Sequence, residues 1–410
     1  MNTPAPTGTT FRSLSEPNVR IYLASFIASG VGTWAQTTAL VLVVQSLGGN
    51  GLELGLITAF QFLPMLLMGL WAGSIADQVN RYRLTIFLQG ALAAQALLLA
   101  ILVFAGLHSI PALYALTALG GVFSAFDNPT RRTFLTELAK PEDLANVTSL
   151  STSAMTGWHD RAVDRSHALR HRRCGLGVLL NGVSFLIMLV GLLRMDPTRF
   201  RLIAKAPKSK TPIRDGLRAV WGDPLLRTIM IVFSVVSTFG FNTLVSLPLV
   251  AKELLDRGPQ YFGYLLSAQS VGNISGSLFV ARKVDVAPAL TFGAGGAIAV
   301  TLILGGLSTS LIATMLIMVG LGFASTMFVN SNTVLLQQRS SEQMRSRVLA
   351  LSGVLFLGST PIGGPITGLV GDHFGAGWSM AYGGVISGAA VLVGAAIHFR
   401  RAATDAPPAS

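Results

Sequence analysis

Long apolar stretches separated by short basic loops set the pattern of this chain. A helix needs about 20 apolar residues to cross the hydrocarbon core of a bilayer. Eleven stretches qualify, at approximately 21–46, 54–76, 84–106, 110–125, 175–193, 229–251, 262–281, 286–307, 311–334, 348–370 and 380–399. The fourth extends weakly past Asp127. Spacing asks for one more span at about 148–170, and there the pattern fails. The expectation is an all-α membrane protein with twelve intended spans, the fifth disrupted.

Composition agrees with the pattern. Charged residues make up 12% of the chain, about half the usual share of roughly 25%. Apolar residues reach 51%, there are 44 glycines, and mean hydropathy is +0.59. So few charges do not cover the surface of a soluble globule, and disorder and a collagen repeat are excluded as well. The single cysteine, Cys174, excludes a disulfide framework and a cysteine-rich metal site. The first twenty residues hold no apolar run of the kind a cleavable signal peptide carries.

Net charge is +12, and its placement gives the orientation, because cytoplasmic loops collect Lys and Arg. With the N-terminus inside, the inner loops hold Arg81 and Arg83, Arg131 and Arg132, nine basic residues from Arg194 to Arg227, Arg282 and Lys283, Arg339 to Arg347, and Arg400 and Arg401. The outer loops hold only Lys252 and Arg257. Both termini are therefore expected in the cytoplasm. The basic charge is a topology signal, with some attraction to anionic lipid, and not a nucleic-acid footprint.

Features recur half a chain apart. Gly73-Ser74 before a basic loop returns as Gly276-Ser277, Phe126 and Asn128 return as Phe328 and Asn330, and Asn146-Val147 returns as Arg347-Val348. The shared offset argues for two homologous six-helix halves. The expected division is a first half over 1–193 with 158–174 aberrant, a cytoplasmic central loop over 194–227, a second half over 228–400 and a cytoplasmic tail over 401–410. Within the loop, 213–221 is expected to form a short interfacial helix.

Two six-helix halves joined by a basic loop resemble the major facilitator superfamily. The loop from Gly73 through Asp77 to Arg81 and Arg83 is similar to that superfamily's signature, with Gln78 replacing the usual basic residue and Asn80 the usual glycine. Closer resemblance is to the bacterial branch that contains the enterobactin exporter, through Phe11-Arg12-Ser13-Leu14, Gly32-Thr33-Trp34-Ala35-Gln36, Phe60-Gln61-Phe62-Leu63-Pro64 and Ala125-Phe126-Asp127-Asn128-Pro129-Thr130-Arg131-Arg132. The resemblance implies that Asp77 hydrogen-bonds a helix N-terminus of the other half and latches the outward-open state, with Gly73, Arg81 and Arg83 beside it. The alternative is that these are solvated loop charges. Arg81 is expected to pair with Asp127; equally, Asp127-Asn128-Pro129 can be read as a helix stop.

The resemblance also implies that spans one, four, seven and ten line the cavity. Trp34 and Gln36 in span one, and Phe241 and Asn242 in span seven, are the substrate-contact candidates. Gln61, Gln89, Gln95, Gln269 and Asn273 lie in other spans. Each amide has a plainer reading as interhelical glue, worth about 1 kcal/mol. Mid-span carboxylates mark proton pathways, yet Glu53, Asp77 and Asp127 all read as lying at span ends. Proton coupling is expected from the resemblance without an assigned carrier. No Walker A pattern or metal cluster appears, so no enzyme activity, metal or cofactor is expected.

Residues 158–174 carry five arginines, three histidines and Cys174. Five arginines inside a span would cost about 12–17 kcal/mol before pairing. A cytoplasmic basic loop fails on parity, since the flanking loops are both basic and 175–193 needs a partner crossing. A metal site built on His159, His167 and His171 conflicts with the neighbouring arginines. The favoured reading is a local frameshift. Shifted by one base from Trp158, one allowed reading is Gly-Thr-Ile-Gly-Arg-Leu-Ile-Gly-Pro-Thr-Leu-Ser-Gly-Ile-Ala-Val-Ala, an apolar span. The intact counterpart in the second half is Thr360-Pro361-Ile362-Gly363-Gly364-Pro365.

The expected function is secondary active export of small amphipathic, drug- or siderophore-like molecules across a bacterial inner membrane, by proton antiport. The expected partners are the small-molecule substrate, lipid and protons. The alternatives are an importer, or a membrane protein disabled at span five.

Overall fold

The computed structural model describes residues 15–76, 78–106, 109–138, 170–200, 212–258, 260–281 and 286–404. Among the described residues the regular elements are all helical. The first half contributes α1 (Pro17–Ser46), α2 (Gly51–Ala76), α3 (Arg81–Phe104), α4 (Ile110–Leu138) and α5 (Arg170–Leu193). A short helix α6 (Pro212–Gly222) leads into the second half. This follows with α7 (Pro224–Gly240), α8 (Thr243–Leu249), α9 (Gln260–Ala281), α10 (Pro288–Leu307), α11 (Leu311–Arg339), α12 (Glu342–Phe374) and α13 (Ala376–Thr404).

Helix starts follow local chemistry. The Asn80 side chain caps α3 by accepting from the Arg83 N–H at 3.0 Å, so the residue that replaces the signature glycine has a structural task. Asp223 caps α7 through the Leu225 and Leu226 N–H groups, with Pro224 at the first helical position, where its missing N–H costs nothing. Beyond α5, Asp196 and Asn18 exchange two hydrogen bonds of 3.0 and 3.1 Å that tie the end of α5 to the start of α1. The Thr198 hydroxyl and N–H hold the Asp196 carboxyl below the usual carboxylate range.

Among the described residues ten segments are long and apolar enough to cross a membrane. The more polar α9, which is not among them, packs along α11 as α2 packs along α4. The halves repeat the same pairings. In the first half α5 lies between α1 and α3, and α4 lies beside α2 and α3; in the second α13 lies between α7 and α10, and α11 lies beside α9 and α10.

Two anchors orient the first half. Arg81 at the start of α3 pairs with Glu137 at the end of α4, and the Tyr82 hydroxyl donates to the Leu192 carbonyl near the end of α5. At the other end of α3, Phe104 packs on Gly175. Leu138 and Arg170 thus lie at opposite ends of the bundle. We call the end that carries Arg81, Arg194, Arg339 and Arg400 the basic end. An aromatic cluster of Tyr22, Tyr82, Phe134 and Phe200 closes the core there.

Two expectations need revision. First, α4 does not stop at Asp127-Asn128-Pro129 but runs to Leu138. Pro129 removes the backbone donor to the Ala125 carbonyl, and the helix runs on past it. Asn128 donates to Ser124 O, Thr130 to Phe126 O and Thr133 to Pro129 O. Second, the seventh span is broken: α7 ends at Gly240, Phe241 and Asn242 leave helical geometry, and α8 resumes and ends in a π turn, Val250–Leu254. The last residues of the aberrant segment, Arg170 to Cys174, are helical and begin α5, with Cys174 buried. The rest of that segment lies outside the described residues, as do Asp77 and Asn146-Val147. The expected interfacial stretch 213–221 is indeed helical, within α6.

Candidate functional site

The two halves meet along α2 and α12, which run antiparallel. Glycine makes the close approach possible. Gly51 faces the Gly368 carbonyl and Gly55 faces Gly364 and Pro365, so any side chain at Gly55 would collide with the opposite backbone. Farther toward the basic end, Leu66 packs on Gly358. Beyond that point Leu67, Trp71 and Ile75 of α2 are exposed.

The seam is fastened at the end opposite the basic loops. The first N–H groups of a helix lack internal partners and carry the positive end of its dipole. In α2 two of them are taken by Asp372 of α12: Gly51 N–H donates to Oδ1 at 2.6 Å and Leu52 N–H to Oδ2 at 2.9 Å. Asn50 and Glu53 add a reciprocal capping pair, each side chain accepting from the other's N–H at 3.0 Å. Leu249 of α8 wedges between Gly51 and Gly371 and fills the same end.

The expected latch residues lie toward the other end of α2. Gly73 is in its last turns, Asp77 lies outside the described residues, and Arg83 is exposed. Arg81 is mostly buried and pairs with Glu137 at 2.6 Å, not with Asp127, which sits nearly three turns earlier on α4. Asp127 is instead buried between helices, accepting from Gln89 Nε2 of α3 at 2.8 Å and pairing with Arg131 at 2.6 Å. The Arg131 guanidinium lies over the Phe26 ring of α1, 5.1 Å from its centre.

The cavity candidates sit at mid-depth of their spans. Trp34 and Gln36 are half-buried in α1. The Gln36 carbonyl oxygen accepts from Asn181 of α5 at 2.9 Å, an interhelical tie of the glue type. Phe241 stands at the break of the seventh span, its ring 5.2 Å from that of Phe356 on α12. Asn242 is buried against Gly363 of α12 and donates to the Thr238 carbonyl at 2.7 Å. Both of these residues therefore connect the broken span to the helix that forms the seam.

This arrangement of repeated halves around a glycine seam has counterparts among known proteins. A family model described as transmembrane secretion effector matches residues 8–408. The chain belongs to that family, within the major facilitator superfamily. Among its relatives, the multidrug efflux pump Tap of Mycolicibacterium fortuitum is 24% identical over 394 residues, covering 86% of this chain and 90% of that one. The staphyloferrin A transporter of Staphylococcus aureus is 21% identical over 367 residues, covering 87% and 90%. A bacterial homologue of the human lysosomal transporter Spinster, solved inward-facing and unoccupied, shares the fold with a TM-score of 0.67 at 16% identity, covering 96% of this chain and 100% of that one. The chain is a multi-pass membrane transporter of small molecules and not an enzyme.

Several residues at the site escape a sequence reading. Asp372 reads as an ordinary acid at a helix end, and its partner is 320 residues away in the chain. Glu137 and Arg131 read as loop charges once α4 is stopped too early. The one available signal was the small-residue run around Gly363-Gly364-Pro365 and Gly368, which asks for a close helix partner.

Proposed function

We propose that this protein exports small amphipathic molecules, of drug- or siderophore-like character, from the cytoplasm by proton-coupled alternating access. One observation carries the reading: the halves are fastened by Asp372 at the end of α2 opposite the basic loops, while Leu67, Trp71 and Ile75 on one face of α2 toward the other end are exposed. With Lys and Arg marking the cytoplasmic side, the clamp lies outside and the cavity opens inward, ready to load from the cytoplasm. Rocking one half on the other at the glycine seam would open the Asp372 end and close the Asp77 end. The multidrug efflux pump and the staphyloferrin A transporter among the relatives support the substrate class. Trp34 and Phe241 offer aromatic surface at mid-depth, with Gln36 and Asn242 beside them. Both termini lie in the cytoplasm in this reading, and the halves divide at the 194–227 loop.

The five arginines within 158–174 favour a second reading, a product disabled at span five. Inverted membrane vesicles decide between them. Ethidium uptake is measured with and without an inside-acid pH gradient, for the chain as it stands and for a chain carrying the shifted run at 158–174. Gradient-driven uptake by both supports export by the native chain. Uptake only by the second assigns the defect to span five. Uptake only into right-side-out vesicles reverses the direction.

A further inference from the structure

We propose that Asp127 carries the coupling proton and that Arg131 is its counter-ion, an assignment that rests on the proton-coupled reading above. Asp127 is the eighteenth of the 29 residues of α4. It therefore lies about 25 Å along the helix from Ile110 and about 16 Å from Leu138, at 1.5 Å per residue. It is 1% exposed. An ionisable group so placed within a membrane-spanning helix is costly and is retained for a use.

Packing alone does not require the charge. The second half ties α10 to α11 with a neutral link between hydroxyls, Thr291 to Ser331 at 3.0 Å. Thr291 stands 202 residues after Gln89, and the residue at the same offset from Asp127 is Val329. The same architectural task is thus performed in one half without a carboxylate. Replacing a buried ion pair by neutral groups is often neutral or stabilising, so a pair confined to one half points to transport chemistry.

The groups around Asp127 suit a proton exchange. Arg131 faces it from the same helix, and Tyr22 faces the pair from α1. Arg20 of α1 is exposed. Between Glu53 and Ala76, α2 has no other titratable residue, and α3 has none after Arg83, presenting Gln89 instead. With Asp127 ionised, the pair with Arg131 is neutral overall. A proton arriving from the outer aqueous phase forms an O–H bond on the carboxylate and ends its charge pairing with Arg131. The guanidinium, 18% exposed and resting on Phe26 of α1, is then free to turn. Release of the proton to the cytoplasm restores the pair. Because Arg131 touches α1 through Phe26, the exchange reaches a helix that carries Trp34 and Gln36.

The test uses the full chain reconstituted in liposomes, as wild type, Asp127→Asn, Asp127→Glu and Glu253→Gln, the last removing an exposed carboxylate. Two transport modes are compared with ethidium as the probe, pH-gradient-driven uptake and counterflow without a gradient. Expected is loss of gradient-driven uptake in Asp127→Asn with counterflow retained, and recovery in Asp127→Glu. Gradient-driven uptake by Asp127→Asn at the wild-type rate overturns the assignment alone. A wild type that ignores the gradient while performing counterflow overturns proton coupling itself, and the assignment with it. If span five prevents transport, infrared titration of the purified chain decides. A protonated-carboxyl band that appears with falling pH in wild type and Glu253→Gln but is lost in Asp127→Asn supports the assignment, and the same band in all three overturns it.

Discussion

The carboxylate of Asp372 holds the first backbone N–H of α2, that of Gly51, at 2.6 Å. The bond joins the two halves of the transporter across 321 residues of chain. It pairs a negative charge with the positive end of a helix dipole, and it breaks when the halves separate at that end. The resemblance-derived role of Asp77, at the other end of α2, would mirror it. One helix would then be latched at either end by a carboxylate, in opposite states.

Removing the charge at Asp372 should shift the balance toward the outward-open state. A charge at an exposed helix terminus contributes about 0.3–1 kcal/mol, and 1 kcal/mol is a factor of about 5 in a two-state ratio. Spin labels on Ala105→Cys and Lys252→Cys, both exposed near that end of the two halves, in a Cys174→Ser background, should report a longer distance population in Asp372→Asn. An unchanged distance distribution would reduce the hydrogen bond to an incidental contact.

Gly55 should tolerate no side chain in this state. A leucine there meets the Gly364 carbonyl and Pro365, and overpacking of this kind costs about 1–3 kcal/mol. Gly55→Leu should open the seam in the same spin-label assay. At Gly90, where an added Cβ meets open space, substitution by Ala should leave the distances alone and raise thermal stability by about 0.5–1 kcal/mol through helix propensity. Equal effects at the two glycines would contradict the seam geometry.

Phe134 is fully buried among Tyr22, Tyr82 and Phe200. Phe134→Ala should destabilise the first half by about 3–5 kcal/mol, read as a lowered melting temperature in detergent. Phe134→Leu, which keeps most of the volume, should melt closer to wild type. A melting point in Phe134→Ala equal to wild type would show that the cluster does not support the half.

A reporter fused after Ser410 should be active only in its cytoplasmic form. The excess of Lys and Arg on one side of the spans motivates this. Activity of a periplasmic reporter at that position would reverse the orientation and place the Asp372 clamp on the cytoplasmic side.

What the sequence reveals and what it hides divide along a physical line. Apolar length alone locates the passes, because the bilayer imposes it on each helix separately. The half-chain repeat is equally local in origin, and the mirrored helix pairings follow from it. The relationship of Asp372 to Gly51 depends on which ends of two distant helices meet, and no local pattern marks it. Asp127 reads as a span end because Asp-Asn-Pro is ordinarily a stop. The helix nonetheless continues to Leu138, and this places Glu137, not Asp127, at Arg81. In the seventh span Gly240, Asn242 and Pro248 were visible, but high apolar content masked the break that they produce.

The central claim is that a mid-depth position faces the cytoplasm while Asp372 holds the outer end closed, and faces outward when that hold is lost. Phe241→Cys in a Cys174→Ser background tests it with a membrane-impermeant maleimide, applied to inverted and to right-side-out vesicles. Expected is fast labelling from the cytoplasmic side and slow labelling from outside, with Asp372→Asn accelerating the outside reaction and slowing the cytoplasmic one. Labelling from outside that is fast in both proteins, or cytoplasmic labelling that Asp372→Asn leaves unchanged, would contradict it.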